Sequence, residues 1–251
     1  MPLHKALYYY LWIAPHVLQI LLASLMIRRR LVREFPVFFG YTMYEIFQFI
    51  ILFVVMQVHF MHVYATLFYG GEVISAALRF AIIYQIFGKV FRNYSSLKRL
   101  DNSFFHWATI ILMVAAILIV AYTPSSQTDP TVIIMNAVDR TISIVQCGLL
   151  VSLLALSHFL KFSWRSYAFG IALGVGIYDG LKLLDWAIAD RFGGIGTADI
   201  FTMFLMAAYH CSVLFWLVTL LLPQTQMTLV SNVSPANLDR WNDALERFLQ
   251  S

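Results

Sequence analysis

Apolar residues run in long blocks along this chain, and polar residues return in short clusters between them. Seven blocks are long enough for a helix to cross roughly 30 Å of hydrocarbon. They cover residues 6–27, 36–58, 66–90, 104–122, 132–160, 166–188 and 198–222. Break signals fill the gaps. Arg28, Arg29 and Arg30 end the first block, and Pro36 opens the second. Gly70 and Gly71 interrupt the run near the start of the third. Thr123-Pro124-Ser125-Ser126 and Asp129-Pro130 part the fourth from the fifth, Gly193-Gly194 precedes the seventh, and Pro223 follows it. The second and third blocks divide least clearly, because HFMHVYATLFY (59–69) stays apolar through the connection. The pattern predicts an all-α fold: a polytopic membrane protein built as a seven-transmembrane-helix bundle over residues 1–223, with a tail at 224–251. A β-barrel would show short alternating segments instead.

The polar residues inside the blocks are the informative exceptions. An ionisable group deep in a bilayer costs about 2.5–3.5 kcal/mol even on lenient insertion scales, so it should face the bundle interior. Here such groups recur at helical spacing, which puts them on single faces. The third block carries Glu72, Ser75 and Arg79, and the fifth Asn136, Asp139 or Arg140, Ser143 and Cys147. The sixth carries Asp179, Lys182 and Asp185 or Trp186, and the seventh Asp199, Thr202, Met206 and His210. The first offers Tyr9, Trp12, His16 and Gln19, and the second Tyr41, Glu45 and Gln48.

Charge adds a direction. Arg28, Arg29, Arg30 and Arg33 fall in the first connection, Lys89, Arg92, Lys98 and Arg99 in the third, and Lys161 and Arg165 in the fifth, whereas the opposite side has Lys5 and Arg191. The positive-inside rule then predicts an N-terminus outside and a C-terminus in the cytoplasm of a cell inner (plasma) membrane. The stripes of five blocks would lie in the outer half and Glu45 at or below the midplane. That geometry predicts a polar cavity opening outward, floored near Glu45, Arg79 and His210. Its candidate ligand contacts are Glu72, Arg79, Arg140, Asp179, Lys182 and His210; Glu45, Asp139 and His16 are candidates for a relay. Each pair also has a purely structural alternative. Asp179 and Lys182 are i, i+3 neighbours able to neutralise each other, and Glu45 with Arg79 could join two helices. Gly170-x-x-x-Gly174 and Gly176-x-x-x-Gly180 allow close helix contact.

Composition is consistent with this. The chain is 61% hydrophobic and only 12% charged, with mean hydropathy +0.75. Its net charge of +4 resides in the connections, with no soluble basic domain, so nucleic acid is not an expected partner. The first block is expected to stay in the protein rather than act as a cleaved signal, since three arginines follow it as a stop. Cys147 and Cys211 both fall within blocks and imply no disulfide framework. His59 and His62 are spaced i, i+3, but no metal-ligand set is complete. Retinal attachment would need a lysine on the last helix; the candidate, Lys182 with Asp179 as counter-ion, is one helix away. No haem, retinal or other cofactor is expected. No nucleotide loop, Cys-x-x-Cys, His-Glu-x-x-His or Gly-x-Ser-x-Gly is present, so nothing argues positively for an enzyme.

The tail reads SPANLDRWNDALERFLQS (234–251). Ser234 suits an N-cap, Pro235 the first helical position, and Val233 with Leu238 a hydrophobic staple. Leu238, Trp241, Leu245 and Phe248 then share one face, which predicts an amphipathic helix over 235–250. Its slightly acidic charge favours docking on protein, whether its own cytoplasmic loops, a second copy or a cytoplasmic partner, over lying on lipid.

Three stretches, LVREFPVFFGYTMYEIFQFIILF (31–53), FGKVFRNYSSLKRL (87–100) and LDRWNDALERFLQ (238–250), resemble a group of seven-helix membrane proteins of acidobacterial-type soil bacteria. The resemblance implies a bacterial seven-helix membrane protein and brings no activity or binding residue with it. Rhodopsins and seven-helix receptors share the topology by analogy alone. The pattern therefore leads to a sensor or receptor-like protein that binds a small polar ligand and signals through its cytoplasmic loops and tail. The alternatives are a proton- or ion-coupled transporter, or an accessory subunit whose polar stripes are structural.

Overall fold

A computed structural model describes residues 3–58, 61–92, 101–122, 130–159, 167–192 and 198–222. They form seven helices: α1 (Leu3–Arg28), α2 (Pro36–Gln57), α3 (Met61–Arg92), α4 (Asp101–Ala121), α5 (Pro130–Phe159), α6 (Tyr167–Phe192) and α7 (Ala198–Leu221). Six are long and apolar enough to cross a membrane, which marks a multi-pass membrane protein. The exception is α4, whose apolar stretch His106–Ala121 is shorter. The anticipated tail helix over 235–250, the pair Gly193-Gly194 and the His59/His62 pair lie outside the residues, or the side chains, described.

α3 corrects one expectation. It starts at Met61 and runs straight through Gly70 and Gly71, which do not interrupt it. Gly71 is a contact point: a Cβ there would overlap the Gln48 side chain on α2. The Tyr44 hydroxyl also donates to the Gly71 carbonyl at 3.0 Å. A glycine in a helix inside a bundle can serve close approach, as Gly71 does, because the helix keeps its backbone bonds whatever the propensity; Gly70 has open space around it.

α1, α2, α3, α5, α6 and α7 follow one another around a closed ring, with α3 and α6 also touching across it. α4 packs against α5 and α3 from outside. Along the bundle axis the interior divides in two. One half is a dry core built from Leu22 and Met26 of α1, Phe38 of α2, Ile82 and Ile86 of α3, Leu149 of α5, Val175 of α6 and Trp216 of α7. The odd-numbered members of the ring finish in this half, and α2 and α6 begin in it.

Trp216 is the keystone of the α6–α7 contact. Its ring is met edge-on by Phe38 at 5.2 Å and Tyr41 at 6.0 Å. Its Nε1 donates to the Ile171 carbonyl at 3.1 Å. The indole reaches that carbonyl by lying over Gly174, where a Cβ would collide with the ring, and Gly170 gives similar room to Thr219. The first small-residue motif thus packs α6 on α7. In the second, Gly176 faces Leu150, while Gly180 has open space around it.

Arg29 closes the same end. It donates from Nη1 to the Leu220 carbonyl at 2.6 Å and from Nη2 to the Leu221 carbonyl at 3.0 Å, and from Nη1 to the Tyr167 hydroxyl at 3.0 Å. These carbonyls are the ones a helix leaves without intrahelical partners, and a cation suits a helix C-terminus. α1 itself ends in a Schellman turn: Arg30 N–H bonds the Ile27 carbonyl and Leu31 N–H the Met26 carbonyl, with Arg30 at φ 58°.

Substitution at the two glycines should separate a packing role from a helix-propensity role. Gly174→Ala forces the fully buried Trp216 to move and should cost about 1–3 kcal/mol. Gly180→Ala meets nothing and should be neutral or slightly stabilising. Thermal unfolding in detergent reads both; equal melting temperatures for the two variants would refute the close α6–α7 contact.

Candidate functional site

The other half of the bundle holds a cavity of about 800 Å³. Its walls come from the six ring helices, all at the end where α1 begins, and include the half-exposed Tyr9 and Thr202. The sequence rhythm explains who reaches it. On α3, Tyr64, Phe68, Glu72, Ser75 and Arg79 all line it, a stripe at steps of three and four. On α1 the lining set is Tyr8, Tyr9, Leu11, Trp12 and His16.

The floor is a polar chain that joins three helices. The Ser75 hydroxyl donates to Glu45 Oε1 and accepts from Arg79 Nη1 at 2.7 Å. Arg79 Nε then lies 3.4 Å from Asp179 Oδ1, with both side chains essentially excluded from solvent. The guanidinium also sits 5.2 Å from the centre of the Tyr178 ring, a cation–π distance. Tyr178 meets Tyr209 edge-on at 5.4 Å, and the Tyr209 hydroxyl accepts from Gln19 Nε2 of α1. Glu45, Ser75–Arg79 and Asp179 therefore link α2, α3 and α6 just above the dry core.

A second cluster stands on the wall. Lys182 Nζ donates to Asp139 Oδ1 at 2.8 Å and lies 3.5 Å from Glu72 Oε2. One lysine of α6 thus engages acids of both α5 and α3. Facing it, α1 and α2 supply rings: His16 stacks on Phe49 at 4.0 Å, and Trp12 meets Phe49 at 5.5 Å. His16 Nδ1 donates to the Trp12 carbonyl at 2.9 Å, which fixes the ring against the helix.

The structure sorts the sequence-derived candidates into two groups. Glu45, Glu72, Arg79, Asp139, Lys182 and His16 line the cavity. Asp179, Arg140 and His210 do not. Asp179 is fully buried beneath Arg79. Arg140 lies 5.8 Å from the Trp186 ring centre. His210 is turned toward α1, its Nε2 3.4 Å from the Tyr10 hydroxyl, and its neighbour Tyr209 takes the cavity wall. The pairing also differs from both structural alternatives. Asp179 meets Arg79 and Lys182 meets Asp139 and Glu72, because residues three apart on one helix point their ends at different neighbours. Glu45 reaches Arg79 only through Ser75.

Tyr9, Trp12 and Trp186 of the aromatic lining stood on the sequence stripes, but Phe49, Tyr64, Phe68, Tyr178 and Tyr209 were missed by a reading based on charge. Tyr178 and Tyr209 precede Asp179 and His210 by one residue, and that single step moves them from the lipid- or neighbour-facing side to the cavity. The signal was present on α3, where Tyr64 and Phe68 extend the Glu72–Ser75–Arg79 stripe backward by the same steps. Comparison with family models, with curated proteins and with solved structures returned no match.

The pairings can be checked by double-mutant cycles on thermal stability. Arg79→Met and Asp179→Asn should each cost about 3–5 kcal/mol, since each strands a buried charge, and the double variant should cost clearly less than their sum. Asp179 with Lys182→Met should be closer to additive. A strong Asp179–Lys182 coupling with none for Arg79–Asp179 would reject the observed pairing.

Proposed function

We propose that this chain is a seven-helix, receptor-like membrane protein of the sensor type. It binds a small polar ligand in the cavity, which faces outward, and passes the change to the cytoplasmic connections and the tail. The observation that carries this reading is the division of the interior: a cavity of ligand size occupies one half and a packed apolar core the other. Pockets of roughly 300–1,000 Å³ with a few convergent polar groups are the usual form of a small-molecule site.

The orientation has its own support. Arg28, Arg29, Arg30 and Arg33 stand at the core end, beside the C-terminal end of α3 with Lys89. Basic residues concentrate on the cytoplasmic side, so the core end faces in and the cavity out. For α4 as a seventh span, its full length of 21 residues would reach about 31 Å as a helix. With this orientation the chain from 224 onward would lie on the cytoplasmic side.

A proton- or ion-coupled transporter is the second reading, favoured by the Glu45–Ser75–Arg79–Asp179 chain at the floor. It would require the apolar half to open, since Phe38, Tyr41 and Trp216 fill the path below. An accessory subunit would leave the cavity without a ligand.

Two measurements test the proposal. Reporter fusions after residue 251 should be active only in a cytoplasmic assay; activity outside would reverse the orientation. For signalling, Cys147 and Cys211 are replaced by Ala, and Arg30→Cys carries an environment-sensitive dye. Ligands found by thermal-shift screening of the purified protein should change the dye signal at this distant end. Binding with a silent dye and with substrate accumulation in liposomes would favour the transporter.

A further inference from the structure

Among the described residues, the charges around the cavity do not balance. Glu45, Glu72, Asp139 and Asp185 line it against Arg79 and Lys182. Adding Asp179 beneath the floor and Arg140 beside Trp186 still leaves five acids against three bases. The two lining bases are already engaged, Arg79 by Asp179 and Lys182 by Asp139 and Glu72. Glu45 holds a hydroxyl group rather than a cation.

Asp185 is the telling member. It forms part of the cavity wall, the residue is only 7% exposed, and its Oδ1 is buried without a hydrogen-bond partner. A carboxylate withdrawn from water is costly unless a cation or donors meet it. No protein group meets Oδ1, so a donor or cation entering the cavity would complete it. Among the described residues, no group of three or more His, Cys, Asp or Glu side chains could hold a metal ion. The volume is that of an organic ligand, and the remaining wall is rich in aromatic rings, including Trp12, Phe49, Tyr64 and Trp186. Ring faces attract cations and pack against apolar bodies.

We propose that the cavity takes an organic monocation: a protonated amine on an aromatic or apolar body, its ammonium group on Asp185 and its body in the aromatic-walled remainder. This rests on the cavity being a ligand site, as argued above, and names the chemistry of that ligand. An anion is disfavoured because each described base in the wall already sits beside an acid. A zwitterion brings a carboxylate that would face the same surplus of acids.

The test uses the full chain in nanodiscs and three probes sharing one ring and tether: 2-phenylethylammonium, 3-phenylpropionate and phenylalanine. Thermal unfolding and the fluorescence of Trp12 and Trp186, both in the wall, report binding. The ammonium probe should raise the melting temperature and change the emission, the carboxylate should do neither, and phenylalanine should bind more weakly than the amine. Asp185→Asn should weaken the ammonium probe about ten- to hundredfold, the range of a lost charge-assisted bond. The same variant, without ligand, should be at least as stable as the parent. Preference for 3-phenylpropionate or phenylalanine would overturn the assignment of charge while leaving a ligand site in place. No response to any probe, across shorter and longer tethers at millimolar concentration, would overturn both. Marked destabilisation by Asp185→Asn would show that this carboxylate already has a partner, and would also overturn the assignment. The comparison among probes needs no variant and so stands even if Asp185→Asn fails to fold.

Discussion

The Arg79–Asp179 contact is the interaction on which the rest of the interior depends. Both groups are cut off from solvent, and each is tolerable there only because the other is present. They lie at the level where the dry core gives way to the cavity, and they join α3 to α6 across the ring. Above them Lys182, Asp139 and Glu72 pair with one another at the cavity wall. Below them the interior is filled by aliphatic and aromatic side chains. A charge pair at this level stands at the boundary between the cavity half and the packed apolar half.

Rigidity follows from how the polar groups are shared. Ser75 bonds both Glu45 and Arg79, and Lys182 engages acids on two helices. Five ring helices are tied together at one depth through α1 Gln19, α2 Glu45, α3 Arg79, α6 Asp179 and α7 Tyr209. Such ties specify rotation about each helix axis, which apolar packing alone leaves loose, because lipid and protein interior are equally apolar. The cost is that no member can change without affecting its neighbours.

Much of this was legible in the sequence. Helix positions follow from block length, and the helix faces from polar residues at steps of three and four; Glu72, Ser75 and Arg79 reach one cavity as their spacing required. What a single sequence could not supply was the partner across the ring. Asp179 and Lys182 look like a pair at i, i+3, yet they reach Arg79 and Asp139 on different helices. One residue of rotation, about 100° around a helix, also decides between Tyr209 and His210, and spacing alone does not fix it. Gly70 and Gly71 misled for a related reason. Glycine marks a turn in water, but inside a membrane bundle it can instead mark a close contact, as at Gly71.

The clamp at Arg29 has a consequence for how the chain is made. α1 leaves the ribosome long before α7, and the carbonyls that receive Arg29 lie 191 and 192 residues further on. Until they arrive, the guanidinium is a mobile surface charge and α1 is attached to its successors only by packing. The last helix completes the first, and Tyr167 of α6 is drawn into the same joint. A chain that stalls before α7, or inserts α7 wrongly, is left with Arg29 without these carbonyls. The first helix is latched only once α7 has joined the bundle.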